Sequence, residues 1–436
     1  MRRRRFISTA LLVSSFGIFL SGCRSSGRES RASDAEISPP YAPTGRPIEL
    51  LTWWPKVGDS DSIGALSAAH RHHHPADVLI DATADLSGQA RSTLQRRMQR
   101  DEPPDTFMGN AGRDFMRWIF VDGVDDAASK LMPLDGLVDV PALRESMPKS
   151  LLDLLTHEGQ LYGVPANIHR LNTIFYNRSV FRRYGLSEPR TLADLPRLNQ
   201  KLSGSGVHLL ALGSREPWTL ELLAFECLLI AREGPAYYES YFHGHLRADD
   251  PPVMGDLEAF LDLLDVANED HAQLTWLQAV DLVASGKAAM TVMGDWARGA
   301  FANHGMKIGE DYSEIPFPGT EDVFVFTSDT FGLPKFAKNP EGAARLLTTI
   351  GSIEGQRALN GAADALSSRL DVPPVGDSVL ETEFALFKKG PLVLALSGLV
   401  PARFAEDVAV GLADAAAQHD IEPASHTLRS RYALLR

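Results

Sequence analysis

Ala288-Ala289-Met290-Thr291-Val292-Met293 is a run of strand length, apolar but for Thr291, and Gly294-Asp295 turns it into a helix that starts near Trp296. Such a run predicts a buried strand. The pattern repeats outward from it. Ile48-Glu49-Leu50-Leu51-Thr52-Trp53 is a second strand candidate. Asp256 precedes Leu257, Phe260, Leu261 and Leu264, a helical stripe for which Asp256 is the expected N-cap. Asn339-Pro340 opens the stripe Ala343, Leu346, Leu347, Ile350, which Gly351 closes. Strands alternating with helices predict the α/β class with open sheets. In such sheets ligands bind beyond the carboxyl ends of the strands, where Trp53-Trp54 and Asp295-Trp296 both fall. No internal repeat is present.

Across 436 residues the chain is 44% hydrophobic and 23% charged. That balance fits a soluble globular protein of two or three domains and excludes a disordered or multispanning one. A net charge of -13 argues against nucleic acid as a partner. Two cysteines, Cys23 and Cys227, exclude a disulfide scaffold and a cysteine-based zinc cluster.

The N-terminus predicts export. Arg2 to Arg5 form a positive segment and Phe6 to Leu20 a fifteen-residue apolar one, short of the ~20 residues that span a bilayer. Residues 1–22 therefore read as a signal peptide. Leu20-Ser21-Gly22-Cys23 matches the bacterial lipobox, a resemblance that implies cleavage before Cys23 and lipid on its sulfur. Several acyl chains anchor a protein stably to a membrane where one is marginal. Cleavage would leave 39 Lys and Arg against 56 Asp and Glu, a balance of -17. Residues 23–47, rich in Ser, Arg, Pro and Gly, predict a flexible tether. Cys227, inside the apolar run Leu222 to Ile230, predicts a buried thiol, and Pro391 to Val400 predicts core.

Signatures of catalysis are missing: there is no G-x-S-x-G, H-E-x-x-H, G-x-x-x-x-G-K-[ST] or G-x-G-x-x-G. His70, His72, His73 and His74 are the most metal-like cluster, but Arg71 and Pro75 beside them favour a solvated loop over a metal site. Trp53 and Trp54 are adjacent, so on a strand their rings point to opposite faces and both cannot fill one core. At a strand end they would line a cleft, where indole faces stack on the C–H face of a sugar.

These residues bring a family into view. Leu51-Thr52-Trp53-Trp54, Tyr162 to Arg170 running on to Phe175-Tyr176-Asn177, Gly286 to Ala297, Pro316 to Thr320 and Thr327-Ser328-Asp329 occur in that order. The ordered set resembles the extracellular solute-binding proteins of carbohydrate ABC transporters, especially the branch of bacterial glucose/mannose-binding proteins. The resemblance implies a type II, periplasmic-binding-protein-like fold: two lobes, a hinge and an interlobe cleft. The first lobe would hold residues 48–165 and about 327–370, the second 166–326 and about 371–436. It implies a lipid-anchored monomer that closes on a sugar and docks on permease subunits, with no cofactor, metal or chemistry. Trp53, Trp54, Trp276, Asp329 and Asp59 match positions that line the sugar pocket. Asn167, His169, Trp218, Asp295 and Trp296 lie in matching cleft motifs, with His169 equally readable as a hinge residue and Asp295 as a helix N-cap.

Some positions depart from that branch. Gln95 and Ala363 stand where lysines are expected, Ser397 where a histidine is, and Asp59 replaces a glutamate. Fewer donors imply a different selectivity and place glucose in doubt. A secreted carbohydrate-active enzyme and a metal-binding lipoprotein using the His70–His74 tract are the rival expectations.

Overall fold

In the computed structural model, strand Ala288–Met293 is buried along its whole length. Residues 45–54, 62–82, 87–119, 129–363, 365–376 and 378–436 are described. The expected signal peptide, Cys23, the expected linker up to residue 44 and Asp59 lie outside the described residues. Ala288–Met293 runs antiparallel to Thr173–Asn177 and parallel to His208–Ala211, with Tyr312–Pro316 at the edge beyond Thr173–Asn177. Ala289, Met290 and Val292 enter one apolar core, Ala288 and Met293 another, so both faces are covered and no polar alternation is possible.

A second sheet has five strands in the order Leu79–Asp81, Ile48–Leu51, Thr106–Asn110, Asp329–Gly332, Gly163–Pro165. The first three are parallel and the last two antiparallel to their neighbours. Ile48, Phe107, Phe331 and Leu346 share its core, while Met290, Phe225, Phe260 and Phe404 share that of the four-stranded sheet. A three-stranded sheet, Leu392–Leu394, Phe324–Thr327 and His169–Arg170, lies where the chain passes between the two. Leu380, Phe384 and Phe387 of helix Ser378–Lys389 belong to the first core, and Leu396 and Val400 to the second. The result is the two-lobe type II fold.

Local signals held where the cap lies in the sequence itself. Asn339 accepts from the Gly342 amide at 3.1 Å and opens helix Pro340–Gly351. Asp256 is a correction. Pro251 and Pro252 start the helix Pro251–Leu264 earlier, and Asp256 lies inside it, fully buried, 3.7 Å from Arg232. The histidine tract is another. His70, His72 and His73 form the last turn of helix Ser62–His73, which stops one residue short of the position preceding Pro75. Cys227 is a free, buried thiol, and burial pushes its pKa well up, which suits packing and not reaction. Among the described residues no helix is long and apolar enough to cross a membrane.

Candidate functional site

A cavity of about 730 Å³ lies at the carboxyl end of strand Ile48–Leu51 and is lined from both lobes. Trp53 and Trp54 follow that strand directly. Asp329 opens strand Asp329–Gly332, opposite Asn110, and Asn167 and His169 come from the segment that passes between the lobes. Trp296 reaches the cavity from beyond Met293. Gly294 is required there, because a Cβ on it would stand 2.3 Å from the Trp296 ring. Trp218 and Trp276 each begin a helix, and Thr275 caps the second one.

Asp329 is the polar centre. Its Oδ2 accepts from Trp54 Nε1 at 2.7 Å and Asn167 Nδ2 at 2.8 Å, while its amide donates to Asn167 Oδ1 at 2.9 Å. His169 Nε2 stands 3.5 Å from the same oxygen, and His169 Nδ1 stands 2.5 Å from Asp295 Oδ1. Burial opposes a charge on His169, but Asp295 and Asp329 outweigh it and raise its pKa to about 10. The two flanking carboxylates thus favour the protonated ring. Its Nε2 lies 2.9 Å from the Asn167 amide nitrogen, which also donates to Asp329 Oδ2. Burial also opposes a charge on Asp329, yet His169, Asn167 and Trp54 hold its pKa below the ordinary carboxylate range. No partner for Asp329 Oδ1 occurs among the described residues, so one preset, ionised acceptor is open to a ligand.

Aromatic rings surround this centre. His169 meets Trp296 edge-on at 5.3 Å, Trp296 lies 6.0 Å from Trp218, and Trp54 meets Phe331 edge-on at 5.7 Å. The Arg91 guanidinium lies 4.7 Å from the centre of the Trp53 ring and pairs with Asp114 at 2.5 Å. Burial would raise Asp114, but Arg91 and Arg117 hold it low.

The structure brings Trp53, Trp54, Asn167, His169, Trp218, Trp276, Trp296 and Asp329 together around the cavity. Asp295 does not line it. It is wholly buried behind His169, and its second oxygen takes the Arg170 amide at 3.0 Å, so it orients the imidazole and caps no helix. Gln95 faces solvent. One turn earlier in helix Ser87–Gln99, Arg91 supplies the cavity with the cation that the sequence at Gln95 lacked. Ser397 is in the wall, and its Oγ accepts from Asn110 Nδ2 at 3.1 Å.

Two acids in that wall went unread. Glu221 ends helix Trp218–Glu221, and Glu226 lies within the π-helix Leu222–Leu229. Burial pushes Glu226 to about 7, and burial with the Glu226 charge pushes Glu221 well above the carboxylate range. Glu226 accepts from the Leu396 amide at 2.7 Å, whereas Glu221 Oε1 and Trp218 Nε1 have no partner among the described residues. The available signal is Glu226 inside the apolar run Leu222 to Ile230 and Glu221 just before it.

Comparison with known proteins agrees with this fold. The model of the bacterial extracellular solute-binding protein family matches residues 80–357. An uncharacterized ABC transporter extracellular-binding protein of Pyrococcus horikoshii is 32% identical over 97% of this chain and 95% of its own length. A probable sugar-binding periplasmic protein of Mesorhizobium japonicum is 30% identical over 80% of this chain and 81% of its own. The solved structure of the bacterial solute receptor AcbH, which has an exclusive preference for β-D-galactopyranose, superposes with a TM-score of 0.76. The two are 17% identical, with 89% of this chain and 97% of the receptor covered. The chain belongs to the bacterial extracellular solute-binding protein family.

Proposed function

We propose that the protein captures a sugar, a mono- or oligosaccharide, between its lobes and delivers it to the permease of an ABC importer. The observation that carries this reading is the pairing of indole faces with an open, ionised acceptor at Asp329. Rings take the apolar face of a sugar and the carboxylate takes its hydroxyls. Family membership and the sugar-binding names of relatives support the reading. The protein performs no chemistry and acts as a monomer, held to the membrane by lipid on Cys23. Its lobes divide at residues 48–165 with about 327–370 and at 166–326 with about 371–436, helix Ser378–Lys389 joining the first through its apolar face. Arg91, Ser397 and Glu221 set which hydroxyl pattern is accepted.

Calorimetric titration with mono- and disaccharides tests this. One sugar is expected to bind, with Trp54→Ala and Asp329→Ala each lowering its affinity at least about tenfold, since each leaves buried polar groups unpaired. Unchanged affinity in both variants would remove the site assignment, and binding of none of the sugars would remove the sugar.

A further inference from the structure

The fold divides the histidine tract into two halves with different fates. His70 is wholly buried, with Nδ1 2.8 Å from Thr349 Oγ1 and Nε2 3.2 Å from Asp77, which Arg345 also binds at 2.7 Å. His74 packs against it, the ring centres 4.9 Å apart. These two hold the helix end in place. His72 and His73 turn outward, their side chains 71% and 58% exposed. Arg71 turns back along its own helix to the Ser67 carbonyl at 3.3 Å.

Opposite them stands Glu354, in the first turn of helix Ile353–Ala363. Its Oε1 lies 3.1 Å from His72 Nδ1 and its Oε2 2.7 Å from His73 Nε2. Ligand atoms of all three residues lie within 4.8 Å of one another. A tetrahedral zinc ion with bonds of about 2.1 Å separates its ligands by roughly 3.4 Å, which exposed side chains reach by small rotations. The carbonyl end of helix Ser62–His73 adds partial negative charge at this point. Two imidazoles and one carboxylate suit zinc or nickel, whereas calcium and magnesium require an oxygen shell.

We propose that His72, His73 and Glu354 form a site for a borderline divalent cation, zinc or nickel. Solvent completes the coordination, and the ion clamps helix Ser62–His73 to helix Ile353–Ala363. None of the three residues lines the large cavity, so the site works independently of any sugar.

The test is calorimetric titration of the chelator-treated protein with zinc chloride, without sugar. One zinc per chain is expected, with an affinity that His72→Ala and Glu354→Gln each reduce at least about tenfold. Zinc should raise the melting temperature of the parent protein and leave that of the doubly substituted protein unchanged. Because all three side chains are exposed, the variants should melt like the parent when metal-free, which separates lost ligation from lost folding. No zinc uptake, uptake that both variants retain, or calcium binding as tight as zinc would each overturn the site.

Discussion

His169 carries the sharpest consequence at the scale of a single residue. Folded, it keeps its proton up to about pH 10, against an ordinary value of 6.5. A group whose pKa rises on folding contributes stability fully present below the unfolded value and lost as pH climbs through the folded one. Melting temperatures measured from pH 6 to pH 10 should therefore fall more steeply for the parent than for His169→Gln. Parallel curves would mean that no imidazolium forms. Trp53, Trp54 and Asp329 were legible because their motifs are local. Glu221 and Glu226 were not, because nothing beside them in the sequence says that an acid in an apolar run is turned inward toward a cavity. Arg91 was missed by one helical turn, the length by which Gln95 faces the wrong way.

Among the elements, the helix Ala297–Asn303 is tied to both of its neighbours through one guanidinium. Arg298 binds Glu314 of strand Tyr312–Pro316 through two nitrogens, at 2.6 and 2.9 Å, and Glu383 of helix Ser378–Lys389 at 2.6 Å. All three side chains are nearly inaccessible, so the group stands without water to screen it. Arg298→Ala removes the guanidinium that both buried acids bind and should cost about 3–5 kcal/mol in urea denaturation. Replacing all three residues with apolar ones of similar volume should regain most of that loss. Full loss in the triple variant would show that the ions do more than neutralise each other. Elements read well from sequence where their ends are local, as Asn339-Pro340 shows. The helix around Asp256 was displaced because Pro251-Pro252 outranks a later cap, and the Arg298 group joins residues 85 apart that no local pattern connects.

For the whole molecule the decisive contact is backbone on backbone. Gly112, at φ 97°, faces Gly398 of helix Leu396–Leu399 so closely that a Cβ on Gly112 would stand 2.3 Å from the Gly398 carbonyl oxygen and one on Gly398 2.5 Å from that of Ala111. Ala111 belongs to the first core and Leu396 to the second, so the lobes touch here. Gly398→Ala should disfavour the arrangement seen here, weakening sugar binding by population shift while the cavity residues stay intact. Small-angle scattering with and without saturating sugar checks this. The parent should contract more than the variant, and equal contraction would place the closing contact elsewhere. His169 adds a constraint of a different kind. It faces the cavity and also lies opposite Thr327 in the sheet that joins the lobes, so one residue belongs to both. Exchanging that imidazole would therefore change the cavity and the joining sheet at once. Exchanges at Arg91, Ser397 or Glu221, which line the cavity outside that sheet, would instead change the cavity alone.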